Sequence, residues 1–315
     1  MEYKRTANDD KKLKISSMTG AKCKDLFFYI SLMILPVLQF FFFYICVNVK
    51  SFLYAFQEID VLSDTTKLTL NNFKDIFSAM KTTTTYSSMF RVSLINYVFS
   101  LIVGVPLGLF FSFYISEKMP FAGGFRVILF LPSIISAVTM VTIYKFFVES
   151  ALPSVIHDLF KQEITGLLEN YNTRFGAIIF YNVFISFGTS VLMYSNSMSA
   201  IPQEIIEASK MDGASGIKKF FYVVFPQVFG TVSTFLIIGI AGIFTDQMNL
   251  FSFYDTSAPD EVRSLGYYLY VNAQLAKNEA EYPILSALGL LLTVIAVPLT
   301  MLVKWLLQKF GYSED

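Results

Sequence analysis

Ile201–Pro226 reads IPQEIIEASKMDGASGIKKFFYVVFP, a polar and charged island between two long apolar runs. Its first half has the marks of a short helix. Pro202 suits a first turn, where its missing N–H costs nothing, and Glu204 suits the positive end of the helix dipole. Ile201, Ile205 and Ala208 share one face at helical spacing with Met211 close by, while Glu204, Glu207 and Lys210 point more outward. Gly213 can take the left-handed backbone that stops a helix. A second helical piece starts near Ser215 and runs through Lys218, Lys219 and Tyr222, and Pro226 turns the chain into the next apolar run. Two short helices joined at a glycine form a compact knob, suited to docking a partner. Lys218 and Lys219 read as basic anchors at a membrane surface.

The runs on either side place the chain in lipid. Hydrophobic residues make up 54% of the sequence and charged residues 15%, with a mean hydropathy of +0.55, whereas soluble domains run nearer a quarter charged. Six segments approach the roughly 20 apolar residues that a membrane helix needs. They are Leu26–Val49, Val92–Ile115, Val127–Phe147, Gly176–Ser197, Phe229–Phe251 and Tyr282–Leu307. Backbone groups in lipid must be satisfied within each segment, so the expected fold is all-α, a polytopic bundle of six transmembrane helices. Residues 1–25 carry seven lysines and arginines, from Lys4 to Lys24. Basic flanks stay inside, which puts the N-terminus in the cytoplasm. Six crossings bring the C-terminal residues 308–315 back to it. The plan is then a basic cytoplasmic tail (1–25), a first crossing (26–49), an extracytoplasmic segment (50–91) and a five-helix core (92–307). The loops Glu117–Arg126 and Ile201–Pro226 face the cytoplasm. Glu149–Phe175 and Ser252–Glu281 face out, and polar pieces such as Asn71–Ala79 and Ser154–Asn170 look helical.

Several functional classes are excluded on composition. Net charge is zero, so no nucleic-acid footprint exists. Cys23 sits in the basic tail and Cys46 in an apolar run, which suggests neither a disulfide framework nor a metal site. No G-x-x-x-x-G-K-[ST] phosphate loop and no H-E-x-x-H occurs, and His157 is the single histidine. The crossings hold almost no ionisable residue, only Lys145, Asp246 and Lys304, so no proton relay can be drawn. Interfacial anchoring is the ordinary role for each of the three. Asp246 and its neighbour Gln247 also suit a substrate or gate contact.

The island resembles the EAA loop of the membrane subunits of binding-protein-dependent ABC importers. That pattern is E-A-A, three residues, G, nine residues, I-x-L-P. Here Glu207-Ala208-Ser209 is followed at the same spacing by Gly213 and then Val223-Val224-Phe225-Pro226. The flanking stretch, with Pro202, Glu204, Glu207, Asp212 and Gly213, is similar to the carbohydrate-uptake branch. Asn71-Asn72-Phe73 resembles the N-F segment before the core of sugar permeases, and Phe125-Arg126 with Leu131-Pro132 resembles the opening of their third crossing. The first crossing and tail fit the first permease of a heterodimeric pair. The resemblance implies a permease subunit that is not itself an enzyme and binds no cofactor, in a bacterial plasma membrane. Its implied partners are a second permease subunit, two ATPase subunits carrying ATP and Mg, and an extracytoplasmic solute-binding protein. It implies that the loop seats as a coupling helix in the ATPase. Glu204, Glu207, Ala208, Ser209, Asp212, Gly213 and Pro226 are the matching coupling positions: Glu207 meets a basic residue, Ala208 and Ser209 pack in the groove, and Gly213 permits the turn.

For the cargo, polar residues in the fourth and fifth crossings are candidates to line a path: Tyr181, Asn182, Ser186, Thr189 and Tyr194, then Thr245, Gln247 and Asn249. Uncharged donors and acceptors suit a neutral sugar or oligosaccharide, although polar residues also join helices to one another. Alternative readings are an ABC permease for a polyol phosphate, a peptide or another small solute, a stand-alone secondary carrier, and a scaffold that binds a cytoplasmic protein without moving solute.

Overall fold

The computed structural model describes residues 24–60, 65–276 and 278–312. All but the last two residues of the basic tail lie outside them. Long helices dominate: α1 (Lys24–Ala55), α3 (Thr84–Ser116), α6 (Tyr171–Ser199), α8 (Gly216–Gly242) and α11 (Glu279–Phe310), each long and apolar enough to cross a membrane. Between α1 and α3 lie an antiparallel hairpin, β1 (Gln57–Asp60) and β2 (Thr65–Leu68), and the short α2 (Asn71–Thr82). The helical expectation over Asn71–Ala79 agrees with α2, while the hairpin is a small departure from an all-helical chain. The Asn-Asn-Phe signature has a physical role there. Asn72 is buried and donates to the carbonyls of Ala55 and Gln57 at 3.1 and 2.8 Å. Asn71 donates to Glu58, and the Phe73 ring packs on Phe56. The motif pins the end of α1 to the hairpin.

The third expected crossing is not one straight helix. It is split into α4 (Ala122–Ile134) and α5 (Ala137–Phe160), whose axes turn by 104°. Ile135 and Ser136 are extended, and the Ser136 hydroxyl accepts the Thr139 N–H at 3.3 Å, which caps a new helix. Helix α5 runs to Phe160, so only the first part of the polar piece Ser154–Asn170 is helical.

The fifth crossing is shifted toward the N-terminus. Helix α8 begins at Gly216 and ends at Gly242, where Phe229–Phe251 was expected. Pro226 therefore makes no turn and lies inside a continuous helix. A proline ring clashes with the carbonyl four residues earlier, and a wider π turn makes room for it. Of the four π-helical stretches among the described residues, Ser100–Gly104, Phe147–Ala151 and Phe220–Val224 each end two residues before a proline (Pro106, Pro153 and Pro226), while Phe40–Cys46 in α1 does not. After α8 the chain is irregular through Asn249, then forms α9 (Leu250–Tyr254) and α10 (Leu265–Leu275) before α11.

Three buried clusters hold the bundle together. Leu109, Tyr194, Met198, Phe220, Val224 and Val228 join α3, α6 and α8 at one end. At the other, Val141, Ile178, Tyr181, Leu250 and Phe253 join α5, α6 and α9. Met89, Phe244, Leu265 and Leu288 join α3, the turn after α8, α10 and α11. Most of α1 is exposed along its length.

Candidate functional site

Helix α7 (Gln203–Met211) is the first limb of the quoted stretch. Pro202 is extended and stands just before it. Its C-terminus is a Schellman cap: Gly213 has φ of 79°, Ala214 N–H donates to the Ser209 carbonyl at 2.9 Å, and Gly213 N–H donates to Lys210 at 3.1 Å. Ser215 is extended and Gly216 opens α8 with φ of 52°. Nothing lies near a Cβ built on Gly213, so Gly213→Ala meets only the left-handed backbone cost of roughly 1–2 kcal/mol. Faster hydrogen exchange at the Gly213 and Ala214 amides is the expected readout, and unchanged exchange would count against this cap.

The faces of α7 differ from the sequence reading in one respect. Ser209 is only 7% exposed, and its hydroxyl donates to the Ile206 carbonyl. It packs into its own chain, with half-buried Ile206 against the cluster of Phe220 and Val224. Its small size serves that internal contact. Glu204, Ile205, Glu207, Ala208, Met211 and Asp212 are exposed, Met211 at 88%, and Gln203 steadies Glu207 at 3.2 Å. The free face is therefore apolar at its centre, with Glu204, Glu207 and Asp212 around it and Lys210 exposed beside them. Lys219 also differs from expectation. It is buried and paired with Glu117, whereas Lys218 is exposed.

A cavity of about 820 Å³ lies among α3, the α4–α5 break, α6 and α8. Tyr181, Asn182, Ser186, Thr189, Tyr194 and Asn249 all line it. Thr245 lies instead in a separate crevice of about 370 Å³ between α8 and α11, beside Gly289 and Ala296. Gln247 lines neither. Sequence reading missed Ser93, Asn96, Tyr97 and Ser100 of α3 and Ser133 of α4, which complete the lining. An amide inside an apolar run, as at Asn96, is the signal that could have found them.

Polar side chains from three elements meet at this cavity. Asn182 donates to the carbonyls of Ile178 and Met248 at 3.0 and 3.1 Å and accepts from Asn249 at 2.9 Å. Asp246 accepts the Met248 N–H at 2.8 Å with one carboxylate oxygen and the Asn96 amide at 3.3 Å with the other. Met248 and Asn249 both have left-handed backbones, φ 54° and 55°, a cost for Met that these bonds offset. Ser264 holds the Asp246 carbonyl at 2.8 Å, and Gly266 allows close approach: a Cβ there would lie 2.6 Å from that same oxygen. Asn96 is 6% exposed, and its carbonyl oxygen finds no partner among the described residues. Among the described residues, Asp246 is the one charged side chain lining the cavity, and no lysine or arginine does. Lys145 lies elsewhere, its ammonium donating to the Phe253 carbonyl at 3.0 Å and sitting 5.9 Å from the Tyr254 ring. Burial pushes the Tyr254 phenol up to about 12, so that ring meets the lysine uncharged.

An exposed, glycine-capped elbow at one end of a helical bundle with a polar cavity is the frame for comparison with known proteins. The sequence model for binding-protein-dependent transport system inner membrane components matches residues 76–312. The chain belongs to this family. It is thus a multi-pass membrane subunit of a transporter, and the matched region takes in both the elbow and the cavity. The arabinooligosaccharides transport system permease protein AraP of Bacillus subtilis is 24% identical over 272 residues, 84% of each chain. The multiple sugar-binding transport system permease protein MsmF of Streptococcus mutans is 27% identical over 213 residues, 67% of this chain and 72% of MsmF. A chain in the crystal structure of a bacterial alginate ABC transporter, in complex with alginate pentasaccharide-bound periplasmic protein, superposes with a TM-score of 0.76 at 16% identity. The superposition covers 93% of this inner membrane component and 98% of that chain, which establishes the ABC importer permease fold.

Proposed function

We propose that this chain is the permease subunit of an ATP-driven importer that moves a sugar or oligosaccharide delivered by an extracytoplasmic binding protein. The observation that carries this reading is the free face of α7. Glu204, Ile205, Glu207, Ala208 and Met211 are presented outward on a rigidly capped helix, while Ile206 and Ser209 fasten it to the bundle. A stiff short helix passes on a rigid-body displacement where a loose loop would not. The elbow faces the cytoplasm with both termini and meets one of two ATPase subunits, on which ATP and Mg act. A second permease subunit completes the path. The cavity fits the size of small-molecule sites, and the relatives named for arabinooligosaccharides and multiple sugars support a sugar cargo. A phosphate-bearing cargo would call for a basic side chain, and none lines the cavity among the described residues.

In proteoliposomes holding both permeases, the ATPase and the binding protein, uptake of labelled oligosaccharides is expected to require ATP. Glu207→Lys reverses an interface charge and is expected to lower uptake more than about tenfold while the complex still assembles in the membrane. Full-rate uptake by that variant would remove the coupling role, and ion-driven uptake by this chain alone would establish a secondary carrier instead.

A further inference from the structure

Among the described residues, Lys219 is the one charged side chain the fold buries, at 3% exposure. A buried ammonium persists only with a compensating partner. Its partner is Glu117, which immediately follows α3. The ammonium donates to both carboxylate oxygens, at 2.7 and 2.8 Å. Phe113, one helical turn before Glu117, packs its ring 5.2 Å from Phe220, and Phe110 does the same. The end of α3 and the start of α8 are therefore interlocked by charge and by aromatic packing. Helix α7 leans on the same place, the π-helical stretch Phe220–Val224.

We propose that the Glu117–Lys219 ion pair is a positioning latch that makes α3 move with the elbow. This rests on the reading of α7 as the ATPase-docking element and adds a route from it to the cavity. A contact made only of rings can slide, whereas a short two-oxygen ion pair with a buried ammonium and a half-buried carboxylate fixes separation and orientation. Helix α3 then carries the displacement about 30 Å along its axis to Ser93, Asn96 and Tyr97, which form one wall of the cavity. The elbow thus reaches the cavity through α3 as well as along α8 itself.

The test uses the full transporter in proteoliposomes. Glu117→Gln and Lys219→Met are each expected to keep ATP hydrolysis but lower solute moved per ATP by about tenfold. The exchanged pair Glu117→Lys with Lys219→Glu is expected to recover most of it. A merely structural pair would lower assembly and leave that ratio unchanged. Spin labels at Met119→Cys and Lys210→Cys, with Cys23 and Cys46 replaced by serine, read the latch directly. Their separation is expected to stay constant through the ATP cycle in the parent and to vary in Lys219→Met. A constant separation in Lys219→Met, an unchanged ratio in both single variants, or no recovery in a well-assembled exchanged pair would each overturn the latch. Absence of ATP-driven uptake in the parent would sink the functional reading instead, and the label distance, which needs no cargo, still decides the latch.

Discussion

Gly188→Leu is expected to leave almost no folded permease in detergent extracts. Gly188 lies in α6 where α4 crosses it, and a Cβ there would run into the Leu129 carbonyl, only 2.9 Å from its carbon. The obstacle is backbone, so no side-chain rotation relieves it. Overpacking against movable side chains already costs about 1–3 kcal/mol. Pushing a whole helix aside costs more, against a total stability of about 5–15 kcal/mol. Gly188→Ala is expected to lower the melting temperature by several degrees, and leucine to prevent packing altogether. Gly176→Ala in the same helix is the control. Nothing lies within 4 Å of a Cβ there, and alanine is expected to be neutral or to gain up to about 1 kcal/mol. Size-exclusion thermal melts read all three. A Gly188→Leu protein melting with the parent would show that α4 does not sit against α6 as described.

The long apolar runs were legible because each helix must satisfy its backbone internally over a bilayer's thickness. That argument marks where a crossing lies and is silent about what happens inside it. Apolar residues continue on both sides of Ile135 and Ser136, where the chain bends, and resume at Leu250 and Phe251 beyond Thr245, Asp246 and Gln247, after α8 has ended. Both breaks depend on distant partners. The loop after α8 closes on Ser264, which caps α10, and on Gly266 within it, some 20 residues further along the chain. Pro226 misled for a local reason: π turns let a helix run through a proline that would otherwise end it.

The elbow was legible almost residue by residue, because its cap chemistry is local: Gly213 and the amides around it decide the turn. Its facing was not. Ala208 and Ser209 are neighbours of similar size, and only the packing of Ile206 on Phe220 turns one outward and the other in. Lys219 shows the same limit, since its partner Glu117 stands just past the end of another helix, α3. At the cavity, Asn182 and Asn249 were found as amides within apolar runs. The same rule applied to α3 would have found Asn96. Thr245 falls outside because the chain turns between it and Asn249, sending the two side chains to different crevices.

Asp246→Leu is expected to lower uptake by about a hundredfold while the elbow keeps its fold. Its carboxylate does two structural jobs at once. One oxygen holds the Met248 N–H and so keeps two successive residues left-handed; the other holds the buried Asn96 amide. Leucine removes both acceptors. Each abandoned donor costs about 1–3 kcal/mol, and relaxing Met248 recovers roughly 1–2 kcal/mol. The loop is therefore driven out of its strained form, and Asn249 leaves Asn182. A net change of about 3 kcal/mol corresponds to two decades in rate. Asp246→Asn keeps one acceptor and is expected to lose about tenfold. Hydrogen exchange at Gly213 and Ala214 should match the parent in both variants, which separates a cavity defect from a damaged elbow. If Asp246 only faced the cavity without holding the loop, leucine and asparagine would lower uptake equally, because both abolish the charge. The ordering of the two variants therefore decides whether the carboxylate acts through its charge toward the cargo or through the backbone it clamps.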